Sequence, residues 1–241
     1  LGCCLEAIAA VGPVEGRRVL VLGLGPIGQM YLRLLRTFGA SWVGAADLSP
    51  VRRALGEGGG ADETLDPRDP ARLKERVLRA THGTGPDLVV VATGAPSAIA
   101  EACRLVRRGG TVNLFGLPEK GRSLEAELQD LYLRGIRLVP TYATTETGTS
   151  RALALLAAGR VKVSDLVTHR FPLERIGEAF SMAARTEEAV KVLVTASGEV
   201  GRRLASHKKR SAPGRVRGPR PWTGAGRTGW RGCSRLRPGA P

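Results

Sequence analysis

Gly23-Leu24-Gly25-Pro26-Ile27-Gly28 sets glycines in a G-x-G-x-x-G spacing directly behind the apolar run Val19 to Leu22. That spacing can hold a pyrophosphate. Gly23 permits a tight strand-to-helix turn, Gly25 lets phosphate oxygens approach the backbone without meeting a Cβ, and Gly28 lets the helix pack close to the strand. The helix start, with Pro26 and Ile27 in its first turn, offers free N–H groups and a favourable dipole to the anion. A second apolar run, Ser41 to Ala46, ends at Asp47, 19 residues after Gly28, where a carboxylate can accept hydrogen bonds from an adenosine ribose. Together these residues read as a dinucleotide site. Ionised Asp47 would accept from a ribose 2′-hydroxyl and repel a 2′-phosphate, which favours NAD over NADP. Arg52 and Arg53 leave the other choice open, since guanidinium groups can flank an adenine or grip a phosphate. The bland alternative is a glycine turn in an α/β protein that binds nothing.

The surrounding pattern supplies the elements that must hold these groups. Leu1 to Val11 reads as a helix closed by Gly12-Pro13, and Gln29 to Thr37 continues the helix opened by the glycine turn, ending at Gly39. Another helix starts at Pro50, ahead of Gly58-Gly59-Gly60, which should weaken its end by roughly 1 kcal/mol per glycine. Ala61 to Leu65 predicts a short strand and Asp69 to Ala80 a charged helix. Pro86 to Gly94 is a continuous apolar strand of the kind buried on both faces of a parallel sheet. A helix from Ala98 to Val106, strands at Thr111 to Gly116 and Arg137 to Pro140, and a helix from Ser150 to Ala158 complete an alternating β/α series. The fold class is α/β, a doubly wound parallel sheet.

Charge is distributed unevenly along the 241 residues. Of the 37 Lys and Arg, 12 lie from Gly201 to Pro241, where no acid occurs, so the +15 formal charge falls to +3 for residues 1–200. The tail is rich in Gly, Pro, Ser and Arg, too poor in aliphatic residues to build a core, and reads as disordered. It could bind nucleic acid, with Trp222 and Trp230 stacking on bases. An inert extension, including read-through of GC-rich sequence, is the reading favoured, and nucleic acid is not expected as a partner. Cys3, Cys4, Cys103 and Cys233 match neither a zinc-knuckle spacing nor a disulfide framework, which fits a reducing, cytoplasmic setting. No apolar run suits a membrane span and no signal peptide is legible.

Taken jointly, Val19 to Gly28, Asp47-Leu-Ser-Pro50 with Arg52, Val91-Ala-Thr-Gly94, Phe115-Gly116-Leu117, and Val167-Thr-His-Arg-Phe-Pro-Leu-Glu174 with Glu178-Ala-Phe180 resemble the medium-chain dehydrogenase/reductase superfamily. They are most similar to its zinc-dependent branch of sorbitol (polyol), threonine and secondary-alcohol dehydrogenases, from Leu1 to Val194. The resemblance implies a Rossmann domain over residues 1–163, a segment over 164–200 that returns to a catalytic lobe, and the basic tail over 201–241. It implies that Gly23, Gly25, Pro26, Ile27 and Gly28 cradle the pyrophosphate, Asp47 holds the ribose and Arg52 flanks the adenine. Thr93 would lie beside the adenosine half, and Phe115, Gly116 and Leu117 would line the nicotinamide half. For Thr93 and Phe115, plain strand-end packing is the alternative.

By the same resemblance the chain is the NAD-binding portion of an oxidoreductase that oxidises a secondary alcohol or polyol to a ketone. Zinc is expected in the full-length family, with ligands in an N-terminal lobe that this sequence lacks; a further acidic or cysteine position would fall just ahead of Leu1. No catalytic or metal-ligating residue is therefore assigned here, and the isolated chain is expected to be inactive. Cys3 and Cys4 read as structural, and His82 and His169 as packing or surface residues. Tyr142 matches an aromatic near the substrate, but Thr141 stands where Arg is frequent, which counts against a polyol. The partners implied are a small alcohol in the full enzyme and a second copy of the chain, paired along the sheet edge near Leu138. Rival readings are a non-catalytic NAD-binding module and nucleic-acid binding through the tail.

Overall fold

The computed structural model describes residues 1–124, 126–185 and 187–196. The basic tail, with Trp222, Trp230 and Cys233, lies outside the described residues. In chain order the elements are α1 (Gly2–Val11), β1 (Arg18–Leu22), α2 (Pro26–Thr37), β2 (Trp42–Ala46), α3 (Pro50–Gly58), β3 (Glu63–Leu65), α4 (Pro70–Ala80), β4 (Leu88–Val91), α5 (Pro96–Leu105), β5 (Thr111–Leu114), α6 (Leu128–Arg134), β6 (Arg137–Pro140), α7 (Glu146–Ala157), β7 (Val167–Pro172), α8 (Ile176–Ala184) and β8 (Lys191–Thr195).

Strands β1 to β6 form one parallel sheet in the order β3-β2-β1-β4-β5-β6, the doubly wound arrangement read from the sequence. Strand alternation sorts the core into two layers. Val19 and Val21 pack with Leu5, Tyr31, Leu32 and Leu35 from α1 and α2. Leu20 and Leu22 face the other way, onto Leu73, Val77, Ile99 and Cys103 from α4 and α5. Burial on both faces explains why β1 and β4 are continuous apolar runs. Strands β7 and β8 make a separate parallel pair. Leu173, Ile176, Phe180 and Val194, around this pair and α8, keep exposed apolar side chains.

Several boundaries differ from the sequence reading for identifiable reasons. Helix α5 begins at Pro96, two residues early, because proline sits at a helix start without losing a bond. Helix α7 begins at Glu146, four residues before Ser150, because Thr145 caps it by accepting from the Gly148 N–H at 3.0 Å. Helix α6 was not anticipated at all: it has seven residues, no side-chain cap and no buried residue, and it stops at Gly135 in the left-handed region. It is tied down by Leu131, partly buried against the core, and by Arg134, which donates to the Cys103 carbonyl at 3.0 Å and is held within the helix by Asp130 at 2.8 Å. Among the described residues no helix is long and apolar enough to cross a membrane.

Candidate dinucleotide-binding site

The carboxyl ends of β1, β2 and β4 open onto a cleft of about 550 Å³ beside the β1–β4 switch point. Gly23 leaves β1 with φ +94°, where a Cβ would stand 3.1 Å from Thr93, and its N–H donates to the Ala46 carbonyl at 2.8 Å. Gly25 caps α2 in an extended conformation, and α2 has no side-chain cap, so its first turn presents backbone donors toward the open end. At Gly28 a Cβ would fall 1.9 Å from the Gly23 carbonyl oxygen, so only glycine lets the helix close onto the turn.

Asp47, 8% exposed, uses both carboxylate oxygens. Oδ2 accepts from the Leu24 N–H at 2.6 Å and Oδ1 from the Ser49 N–H at 2.8 Å. The carboxylate thus binds the glycine turn to the start of α3, while each oxygen keeps a lone pair for a ribose hydroxyl. Arg52 Nη1 lies 4.0 Å from Asp47 Oδ2, and Arg52 Nη2 donates to the Ala189 carbonyl at 3.3 Å. Arg52 Nε is the one buried side-chain nitrogen or oxygen without a partner among the described residues. A buried unmet donor beside an open cleft suits a ligand acceptor.

Of the residues expected to contact a cofactor, Gly23, Gly25, Asp47, Arg52 and Thr93 line this cleft. Pro26, Ile27 and Gly28 form the helix start behind it. Phe115, Gly116 and Leu117 are not in its walls. The Phe115 ring packs edge-on against Tyr31 with centroids 5.4 Å apart. A Cβ on Gly116 would meet the Thr93 backbone at 2.2 Å, and one on Gly94 would meet the Leu117 carbonyl oxygen at 2.4 Å. These glycines press the loops after β4 and β5 together. The Leu117 side chain is 77% exposed.

The cleft also recruits residues that sequence reasoning missed: Ser49, Arg68, Glu101, Arg104 and Glu187. Ser49 had a legible signal, a serine one residue before a helix-opening proline, and its Oγ accepts from the Arg52 N–H at 3.3 Å. The same Oγ donates to the Glu187 carbonyl at 3.3 Å. Glu187 had no such signal, because it arrives from 138 residues further on.

The residues described do not fit a zinc ion, since no group of three or more His, Cys, Asp and Glu among them is placed to hold a metal. Cys4 is buried in α1, where loss of solvent pushes its thiol up to about 12, and Cys103 is buried in α5. His82 is exposed in a turn with φ 54°, and His169 Nδ1 lies 3.0 Å from the Thr168 hydroxyl.

Residues 26–158 match the zinc-binding dehydrogenase family. The chain is 35% identical to an L-threonine 3-dehydrogenase of Symbiobacterium thermophilum over 188 residues, 76% of this chain and 52% of that protein. It is 34% identical to the sorbitol dehydrogenase of Gallus gallus, over 79% of this chain and 53% of that protein. Alcohol dehydrogenase TADH from Thermus sp. ATN1 superposes with a TM-score of 0.75 at 28% identity, covering 80% of this chain and 55% of that one. A protein of Sinorhizobium meliloti 1021 described as a zinc-binding dehydrogenase, solved bound to NADP, gives 0.74 at 28% identity, over 80% and 56%. The chain spans about half the length of the curated relatives it matches.

Proposed function

Because the chain belongs to the zinc-binding dehydrogenase family, we propose that it is the NAD-binding portion of an oxidoreductase that oxidises a secondary alcohol or polyol to a ketone. The observation that carries this reading is Asp47, held by the Leu24 and Ser49 N–H groups at the mouth of the glycine turn. The helix α2 start would take the pyrophosphate, Asp47 the ribose hydroxyls and Arg52 the adenine edge, with Thr93 beside the adenosine. Gly116 would keep the β5 loop close to the β4 loop on the nicotinamide side, with Phe115 and Leu117 beside it. The cofactor supplies the hydride acceptor, and the chain's part is to bind and orient it.

The zinc that this family's name implies finds no ligand set among the described residues, so no reaction step is assigned to them. The relatives' names, threonine and sorbitol dehydrogenases, support a small hydroxyl-bearing substrate. Asp47 favours NAD over NADP. Titration of the purified chain with NADH, followed by tryptophan fluorescence and melting temperature, tests the reading. Saturable quenching with a rise in melting temperature is expected, about 2.7 kcal/mol of stabilisation at a hundredfold excess over Kd. No change in either signal would overturn it.

A further inference from the structure

Asp66 follows β3 at the rim of the cleft and does not reach the glycine turn. Among the described residues its polar contacts are all with arginines. Oδ2 lies 3.2 Å from Arg53 Nη1 and 2.9 Å from Arg68 Nη1, and Oδ1 accepts from the Arg68 N–H at 3.0 Å. That N–H, together with the two guanidinium groups, outweighs the opposing effect of burial and holds the Asp66 carboxyl below its ordinary value. Arg53 Nη1 is further committed to the Asp47 and Leu48 carbonyls at 2.6 and 3.0 Å. Arg68 itself lines the cleft. One carboxylate therefore neutralises two cations: Arg53, which binds the carbonyl of Asp47, the residue placed to receive the ribose, and Arg68, which lines the cleft.

Resting on the dinucleotide reading above, we propose that Asp66 is a specificity-determining residue. By holding Arg53 and Arg68 it withholds from a 2′-phosphate two guanidinium groups, of which Arg68 lines the cleft, and so reinforces the choice of NAD made by Asp47. Asp47 acts by repulsion at the ribose; Asp66 acts one shell out, by occupying the donors that could offset that repulsion. A guanidinium freed from its carboxylate is a strong bidentate phosphate ligand. Asp66 is a positioning residue in this scheme, since it touches no cofactor.

The test compares dissociation constants of NADH and NADPH on the full chain and on Asp66→Asn. Asparagine keeps an acceptor oxygen for the Arg68 N–H, so the turn survives while the charge is lost. The expected result is a fall of about fivefold or more in the NADPH-to-NADH ratio of dissociation constants, with most of that fall reversed in the Arg68→Gln/Asp66→Asn double variant, since Arg68 is the one of the two that lines the cleft. Asp66→Ser, whose hydroxyl also keeps an acceptor for the Arg68 N–H, should lower the ratio likewise. An unmoved ratio in folded Asp66→Asn overturns the proposal; should that variant not fold, an unmoved ratio in Asp66→Ser overturns it equally. Failure of the unchanged chain to bind NADH overturns the dinucleotide reading and this proposal together, whereas NADH binding with an unmoved ratio removes Asp66 alone.

Discussion

Asp47 carries two loads that a substitution can separate. Its oxygens satisfy two buried backbone donors, Leu24 N–H and Ser49 N–H, and they also face the cleft. Asp47→Ala strands both donors, so a loss of about 1–3 kcal/mol in urea-denaturation stability is expected. The hydrogen bonds of a charged acceptor to ribose are lost as well, so NADH affinity should fall by about tenfold or more. If affinity fell with stability intact, the clamp on the glycine turn would be ruled out. At this scale Gly23, Gly25, Gly28 and Asp47 were legible, because each answers to a local rule of backbone space or charge. The stranded Nε of Arg52, and the carbonyls of Glu187 and Ala189 packed onto the β2–α3 corner, were not, since they depend on a segment about 140 residues away.

Element by element, the sheet is bolted to its first Rossmann helix by a polar contact that no periodicity reveals. Tyr31 on α2 and Asn113 on β5 are each 1% exposed. The Tyr31 hydroxyl donates to Asn113 Oδ1 at 3.0 Å, and Asn113 Nδ2 donates to the Val139 carbonyl and to Thr141 Oγ1, both at 3.0 Å. One asparagine thereby sets the spacing of α2, β5 and β6. Tyr31→Phe keeps the edge-on contact with Phe115 but leaves Asn113 Oδ1 without its donor, and should cost about 1–3 kcal/mol. Denaturation midpoints of Tyr31→Phe, Asn113→Leu and the double variant would reveal the coupling; strictly additive losses would mean that the two side chains do not act as a pair. Apolar patterning announced β1, β2, β4 and β5, yet it said nothing of Asn113, which looks like an interruption in a strand and is in fact its anchor. Helix α6 escaped for the opposite reason: it is seven residues long and fully buries none of them, with Leu131 alone packing partly against the core while Leu128 and Tyr132 stay exposed, so the stretch is too short to mark it.

For the whole molecule, the sheet divides stability and binding between its two ends. The proposed cofactor groups gather at the carboxyl ends of the strands, whereas Asp87 sits at the amino ends, where β1, β4 and β5 begin. Asp87 Oδ2 accepts from the Arg18 N–H at 2.8 Å and Oδ1 from Arg107 Nε at 2.6 Å, while the Asp87 N–H returns a bond to the Arg18 carbonyl at 2.8 Å. Burial opposes the charge on Asp87, but the Arg18 N–H and the Arg107 and Arg18 cations outweigh it and hold its carboxyl below the ordinary aspartate value. A carboxyl lowered in the folded state lends stability that is fully present above its unfolded value near 4 and is lost as pH falls through the folded value. Asp87→Ala should therefore cost about 2–3 kcal/mol at neutral pH, and the gap from the unchanged chain should narrow as denaturation is repeated toward pH 3. NADH affinity at pH 7 should stay the same, because no group of this cluster lines the cleft. A gap that held constant with pH would show that Asp87 acts by packing and not by charge. A loss of NADH affinity would show instead that the two ends of the sheet are mechanically linked, so that a strain at the start of β4 reaches Thr93 beyond its far end.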